Sequence, residues 1–353
     1  MERRPLSNPP NPFASVDREY LEGCDPQTKL EVWEDHTKEI LASNDSPDLG
    51  FRFSVNPYRG CTHACAYCYA RNGHEYLSLG AGTDFDTKIA VKTHAAELLR
   101  KAFARPSWQG ETVVFSGVTD CYQPLEASYR LTRACLQVCA EHRNPVGIIT
   151  KAPLIERDID VLQDLAKNAR VHVSISIPFW DADNARKIEP WVSSPQRRMR
   201  TVEALAKAGI PVGIMVAPII PGLSDEDVPR ILQAAKDAGA DHAGYVLLRL
   251  PGSVRAVFEE RVRAAFPLRA DKILGRLRQT HGGELYDPRF GKRQTGEGPY
   301  AEMIATLFEA TARKLGLWQR RGHDGSHVEG TTFRRPAAKG PQLALFYSGS
   351  GSD

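Results

Sequence analysis

Between residues 51 and 250 the hydrophobic pattern switches repeatedly between a period of two and a period near 3.6. Six short apolar runs read as strands: Phe51-Arg-Phe-Ser-Val, Thr112-Val-Val-Phe-Ser, Val146-Gly-Ile-Ile-Thr, Val171-His-Val-Ser-Ile-Ser-Ile, Pro211-Val-Gly-Ile-Met-Val-Ala and Ala243-Gly-Tyr-Val-Leu-Leu. Amphipathic stretches at 94–105, 128–142, 158–168, 195–208 and 226–238 read as the helices between them, and Gly209 supplies a C-terminal stop. Alternating strands and helices predict an α/β fold with a parallel sheet and right-handed crossovers. Six units favour an open, partial (β/α)6 barrel of the TIM type over a closed barrel of eight.

The flanks have a different texture. Residues 1–50, rich in Pro, Asn and charge, read as an N-terminal arm with one helix at 28–41. Residues 51–250 form the barrel, and residues 251–317 a helical extension carrying many arginines. Residues 318–353 form a polar, Gly-rich flexible tail that ends in an apolar island, Gln342-Leu-Ala-Leu-Phe346. No apolar run approaches the 18 residues of a membrane span, and the N-terminus lacks the apolar region of a secretory signal, so a cytoplasmic protein with no membrane partner is expected.

Charge becomes informative only when it is divided. The net charge of +3 conceals a basic last third: from Arg249 onward there are 18 Lys and Arg against 11 Asp and Glu. This permits a polyanionic partner, although a solvated basic surface gives the same count.

Candidate chemistry concentrates just after the first strand, in Cys61-Thr-His-Ala-Cys65-Ala-Tyr-Cys68. An odd total of seven cysteines suits a reducing compartment in which thiols are ligands or catalysts rather than disulfides. A structural zinc site needs four ligands, and no second Cys-x2-Cys exists, which leaves His63 or His74 to complete one. Three thiolates without an obvious fourth suit a 4Fe-4S cluster with one iron open. Cys61, Asp120, Cys121, Thr150, Lys151 and Ser176 all fall just after strands, at the rim where parallel barrels build their sites. Lys151 and Arg71 are cations placed to clamp a carboxylate or phosphate. Cys135 and Cys139, four apart on a helix, read as small buried hydrophobes, and Cys24 as incidental.

Cys-x3-Cys-x2-Cys with an aromatic residue directly before the third cysteine, on the loop after the first strand of such a domain, resembles the radical S-adenosylmethionine superfamily. The resemblance implies that Cys61, Cys65 and Cys68 ligate three irons of a 4Fe-4S cluster. The fourth iron would chelate S-adenosylmethionine, whose reductive cleavage yields a 5'-deoxyadenosyl radical. It further implies cofactor contacts from Tyr67 to adenine, from Gly117 to the methionine amino group, from Ser174 and Ser176 to ribose or carboxylate, and from the backbone around Gly222, in Ile220-Pro-Gly222, to adenine. The acidic residue expected just after Gly117 is replaced here by Val-Thr-Asp120. An external electron donor such as flavodoxin or ferredoxin is also implied.

A closer resemblance, over residues 50–315, is to the spore photoproduct lyase-related group, described as DNA-repair-photolyase-like. Asn56-Pro-Tyr-Arg-Gly-Cys, Tyr67-Cys68-Tyr69, Thr119-Asp-Cys-Tyr-Gln-Pro-Leu-Glu126 and Ala217-Pro-Ile-Ile-Pro-Gly222 carry it. It implies a DNA substrate, Cys121 as hydrogen-atom donor, and Tyr67 and Tyr69 as radical relays. Cys121 also reads as a purely structural thiol, since the sequence around it differs from the lyase's. Residues 342–346 resemble the short peptide that docks on the bacterial replication sliding clamp through Leu345 and Phe346, with Gln342 at the rim. The leading expectation is therefore radical chemistry on a nucleic-acid base. The alternatives are modification of a protein, RNA or metabolite, and a non-catalytic metal-containing nucleic-acid or clamp-binding protein.

Overall fold

A computed structural model describes residues 4–5, 30–318 and 331–336. In chain order its strands are β1 (Arg4–Pro5), β2 (Glu31–Glu34), β3 (Leu41–Ser43), β4 (Phe53–Val55), β5 (Tyr58–Arg59), β6 (Lys88–Val91), β7 (Val113–Phe115), β8 (Val146–Thr150), β9 (Val171–Ser176), β10 (Val212–Ile219) and β11 (Ala243–Leu247). The main sheet runs β11-β10-β9-β8-β7-β4-β3. All six strands foreseen from the sequence are in it and pair parallel, while β3 lies antiparallel along the β4 edge. This is the partial barrel. A second, small sheet runs β1-β2-β6-β5.

The two faces of the main sheet differ because each strand alternates. Val113 and Phe115, Val146 and Ile148, Val171, Val173 and Ile175, and Val212, Ile214 and Val216 all join one core. The helices Ala95–Ala104, Leu131–Glu141, Ile159–Asn168, Pro195–Lys207, Val228–Asp237 and Pro299–Lys314 contribute the facing side chains. The opposite face of β9 carries His172, Ser174 and Ser176 and lines the barrel interior. Branched apolar residues thus hold the helices, and small polar residues are left for the lumen. Helix ends follow the sequence: the Ser194 hydroxyl accepts from the Arg197 amide (3.2 Å) with Pro195 next in line.

Four expectations change. Residues 30–41 do not form the helix expected at 28–41; β2 lies there and β3 begins at its end, because Val32 and Trp33 are buried as β2 pairs parallel with β6. Tertiary pairing overrides local helix preference there. The helix expected at 128–142 is broken at Arg130, which has φ of 53°. The buried Glu126 carboxylate explains the break, accepting the amides of Thr132 (3.0 Å) and Arg133 (3.2 Å) and so capping Leu131–Glu141. The helix Ala182–Ile188 has no counterpart in the reading above. The tail, expected to be flexible from 318, is fastened at 331–336: Thr331 Oγ1 donates to Gly110 O (2.6 Å), Arg334 N to His142 O (2.7 Å), and Arg335 Nη2 to Trp108 O (2.9 Å). Residues 342–346, which carry the clamp-like peptide, and Cys24 lie outside the described residues.

The basic extension does more than decorate the barrel. Its loop after Asp287 reaches both ends of the open sheet: Leu247 N donates to Gln294 O (2.8 Å) at β11, and Gly291 N donates to Asp48 Oδ1 (2.7 Å) in the β3–β4 hairpin. The gap between first and last parallel strands is spanned by this loop.

Gly213 in β10 has no room for a side chain, since a Cβ there would lie 2.0 Å from His242 Cε1. Gly213→Ala is expected to cost about 1–3 kcal/mol of unfolding free energy by overpacking. A denaturant-melt double-mutant cycle with His242→Ala checks the cause: removing the ring should recover part of the loss, the remainder coming from the His242 carbonyl oxygen, 2.3 Å from the same Cβ.

Candidate active site

The loop from Cys61 to Arg71 stands at the C-terminal rim of the sheet, where the short ribbon β5–β6 turns the chain after β4. Gly60 permits the turn: at φ of 82°, a Cβ would come within 2.8 Å of His74 Cε1 and Ile89 Cδ1. Asn56 ties the β4 end to the next rim loop by accepting Val118 N (2.8 Å). Gln123 grips the loop start from both sides, donating to Gly60 O (3.0 Å) and accepting from Thr62 N (3.1 Å). Thr119 donates to Tyr58 O (3.1 Å), and the Tyr58 hydroxyl donates to Glu126 Oε2 (2.5 Å). The two long motifs noted in the sequence are thus each other's scaffold.

Two guanidiniums hold the middle of the loop. Arg71, fully buried, donates to Cys65 O from Nε (3.0 Å) and Nη2 (2.8 Å), to Ala81 O and Gly82 O (both 2.9 Å), and to Asp86 Oδ1 (2.7 Å). Arg261, from the helix Val254–Ala265, donates to Ala64 O (2.7 Å) and to Asp86 Oδ2 (2.7 Å). Arg71 is therefore a clamp on the loop itself, not on a substrate. Such saturated arginine sites fix the backbone because every donor has a partner.

The three thiols are free; Cys61 and Cys65 are buried and Cys68 is partly exposed. Burial first, then the charge of Asp120 on Cys61 and of Glu189 on Cys65, push both thiols above the ordinary cysteine range. Among the described residues no three His, Cys, Asp or Glu side chains gather tightly enough for a single ion. His63 and His74, the candidates to complete a zinc site, are engaged elsewhere: His63 Nδ1 lies 3.5 Å from Asp120 Oδ2, and His74 Nε2 2.8 Å from Lys88 O. Three soft donors on one clamped loop, with no fourth among the described residues, fit a polynuclear iron-sulfur group better than zinc.

Around the thiols, each tyrosine flanking Cys68 carries a cation on its ring. Lys151 Nζ lies 5.7 Å from the Tyr67 centroid, and Arg249 Cζ 4.9 Å from the Tyr69 centroid. The Tyr67 hydroxyl bonds Glu189, which is paired with Arg198 (2.6 Å); Arg198 also donates to Ser176 O (2.8 Å). Glu189 and Arg198 are both buried, so β9, the helix Pro195–Lys207 and the cysteine loop are joined by one ion pair. Tyr69 is 45% exposed, and its hydroxyl donates to Gly117 O (2.6 Å). Asp120 accepts from Thr150 Oγ1 (2.6 Å) and the Lys151 amide (2.8 Å), which positions Lys151.

Several expected positions lie elsewhere. Cys121 is fully buried in the main core; its amide donates to Ser116 Oγ (2.8 Å) and its carbonyl accepts from Thr132 Oγ1 (2.6 Å). A hydrogen donor needs a surface that a substrate can touch, and Cys121 presents none here. Ser174 is buried with Oγ turned to His242 Nε2 (3.4 Å). Ser176 is buried and serves Arg198 through its carbonyl. Gly222 lies against the helix Ala270–Gln279, with its amide bound to Asp225 (2.9 Å) and its carbonyl to Arg269 (3.2 Å). Its backbone is committed, and Ile220 is the residue of that turn that joins the apolar cluster containing Tyr67. Cys135 and Cys139 are core residues as read.

Sequence reasoning missed Asp86, Glu189, Arg198 and Arg261. Arg198 did leave a signal, for it occupies the apolar register with Val202 and Leu205 on its helix. An arginine there is buried and must be paired. Asp86 left none.

The chain belongs to the radical SAM superfamily, whose family model matches residues 55–235. Its cofactors are accordingly a 4Fe-4S cluster and S-adenosylmethionine. Among its relatives, the uncharacterized protein Rv2578c of Mycobacterium tuberculosis is 38% identical over 242 residues, covering 68% of this chain and 70% of its own. The protein named radical SAM Nalpha-GlyT isomerase, of Pseudomonas phage M6, is 23% identical over 307 residues, covering 84% of this chain and 60% of its own. The solved spore photoproduct lyase in complex with dinucleoside spore photoproduct shares the fold, with a TM-score of 0.56, 17% identity and 84% of each chain covered. Among the described residues no helix is long and apolar enough to cross a membrane.

Replacing Asp86 by Asn should loosen both guanidiniums. Iron and sulfide bound per chain after anaerobic reconstitution should fall several-fold, with a stability loss of about 3 kcal/mol from the partly buried charges left unpaired.

Proposed function

We propose that Cys61, Cys65 and Cys68 hold three irons of the cluster, and that the enzyme acts on a nucleic-acid base in lyase-type repair or modification. The observation that carries the reading is the set of three thiols fixed at the barrel rim on a loop gripped by Arg71 and Arg261. When bound, the cluster and cofactor supply a 5'-deoxyadenosyl radical that can take hydrogen from a substrate carbon.

The chain's own residues position and protect that chemistry. Lys151, steered by Asp120, offers an ammonium to the carboxylate of the cofactor. Tyr67, fixed through Glu189 and Arg198, gives the adenine side a rigid wall. Burial of Cys61 and Cys65 keeps water from two of the three ligands. Tyr69 is the tyrosine of the loop that reaches the open side, so it, rather than Cys121, is placed to meet the substrate.

Support for a nucleic-acid substrate comes from the fold shared with a lyase solved with a dinucleoside photoproduct, and from the basic last third. The peptide at 342–346 fits a sliding-clamp tether, and a flavodoxin- or ferredoxin-type donor would supply the electron. A second reading, radical rearrangement rather than bond cleavage, is favoured by the phage relative named an isomerase.

Anaerobically reconstituted protein, given reductant, S-adenosylmethionine and UV-irradiated DNA, should form 5'-deoxyadenosine and remove thymine lesions. Ala at Cys61, Cys65 or Cys68 should abolish both along with the visible cluster absorbance. Formation of 5'-deoxyadenosine beside untouched lesions would sink the repair reading and leave the cofactor chemistry standing. Cys121→Ala should give the wild-type product distribution with a cavity cost of about 1 kcal/mol; a trapped or altered product would restore Cys121 as the hydrogen donor.

A further inference from the structure

We infer that Arg249 is a phosphodiester-binding residue of the substrate site, which seats one phosphate of a nucleic-acid strand beside Tyr69. The inference rests on the nucleic-acid reading above and adds where the strand is held.

The other arginines around the cysteine loop are already engaged. Arg71 spends its donors on three backbone carbonyls and Asp86; Arg261 is used by Ala64 O and Asp86; Arg198 is used by Ser176 O and Glu189. Arg249 differs. Among the described residues its guanidinium makes no hydrogen bond or ion pair at all; its Nε is buried without a partner, as is that of Arg198, but Arg198 is held by Ser176 O and Glu189 and Arg249 by neither backbone nor carboxylate. A cation with an unmet, desolvated donor is costly to keep unless a ligand completes it. Arg249 follows β11 by two residues, so it stands at the same rim as the cysteine loop.

Its surroundings suit an anion joined to a flat group. The guanidinium lies on the ring of Tyr69, which orients its planar fork. Tyr69 is directly bonded in sequence to Cys68 and is 45% exposed, and Val118, next to the carbonyl that Tyr69 bonds, is 41% exposed. A phosphate on the fork therefore brings its attached nucleoside against exposed apolar surface within one side-chain length of the thiols. Lys151, the other cation on a loop tyrosine, lies on Tyr67 and serves the buried side. The two cations divide the work between cofactor and substrate. A guanidinium matches two phosphate oxygens at once, where an ammonium acts as a point charge.

The test is fluorescence anisotropy of the reconstituted holoenzyme with a fluorescein-labelled, UV-irradiated, thymine-rich single-stranded oligodeoxynucleotide, over a series of KCl concentrations. Arg249→Gln should weaken binding about tenfold or more and reduce the salt slope by ~0.7, as loss of one phosphate contact requires. Arg249→Lys should keep most of the slope and recover part of the affinity. Cluster absorbance per chain establishes that both variants are folded. Wild-type affinity and slope in Arg249→Gln would overturn the assignment of Arg249 while leaving the nucleic-acid reading intact. No binding by the wild type, in protein that still cleaves S-adenosylmethionine, would overturn both.

Discussion

Asp86 accepts two guanidiniums at once, and each of them reaches past it to a carbonyl of the cysteine loop. Arg71 comes from the loop's own end and Arg261 from a helix nearly two hundred residues later. Arg261 holds the carbonyl of Ala64, and Arg71 holds that of Cys65, which also accepts the Cys68 amide (3.3 Å). A loop that must present three thiols in a set arrangement cannot rely on local conformation, since Ala64 already sits at a positive φ of 54°. The charge-assisted bonds hold it there. The extension is therefore part of the site rather than an appendage to the barrel.

The same arrangement explains why so many polar residues at the rim are not available for chemistry. Glu126, Gln123, Thr119, Asn56 and Glu189 satisfy one another or the backbone, Arg198 does so through both terminal nitrogens, and each is buried. Burying them without partners would be costly, so their pairing is a condition of the fold. Around the loop, Lys151 and Arg249 are partly exposed and Tyr69 is exposed. The partition is electrostatic. Groups saturated inside the protein build the cradle, and on the proposed reading the partly exposed ones meet ligands.

The open barrel poses a second problem, which the extension also solves. Six parallel strands leave unpaired edges at β11 and beyond β4. β3 covers one in antiparallel fashion, and the loop through Gln294 and Gly291 bridges from β11 to Asp48. The basic residues there are partly spent on this bridge: Arg293 bonds Asp48 and Ser46, and Arg289 bonds Asp287 and Glu297. Their count in the sequence overstates the positive surface offered to a polyanion.

The sequence by itself determined the six parallel strands and the placing of Cys61, Cys65 and Cys68 just after the first of them. Those follow from periodicity and spacing, which are local. It also marked Cys135 and Cys139 as core, from their helical register. Only the tertiary structure decided that Arg71 is a scaffold, that Cys121 is buried in the main core and Ser174 beside His242, and that residues 31–34 and 41–43 are strands. Each of these depends on a partner distant in the chain: Asp86 and Arg261, Thr132, His242, β6. Whether a polar side chain is a tool or a strut depends on whether its hydrogen bonds are already met. That is a property of neighbours, and no single stretch of sequence contains them.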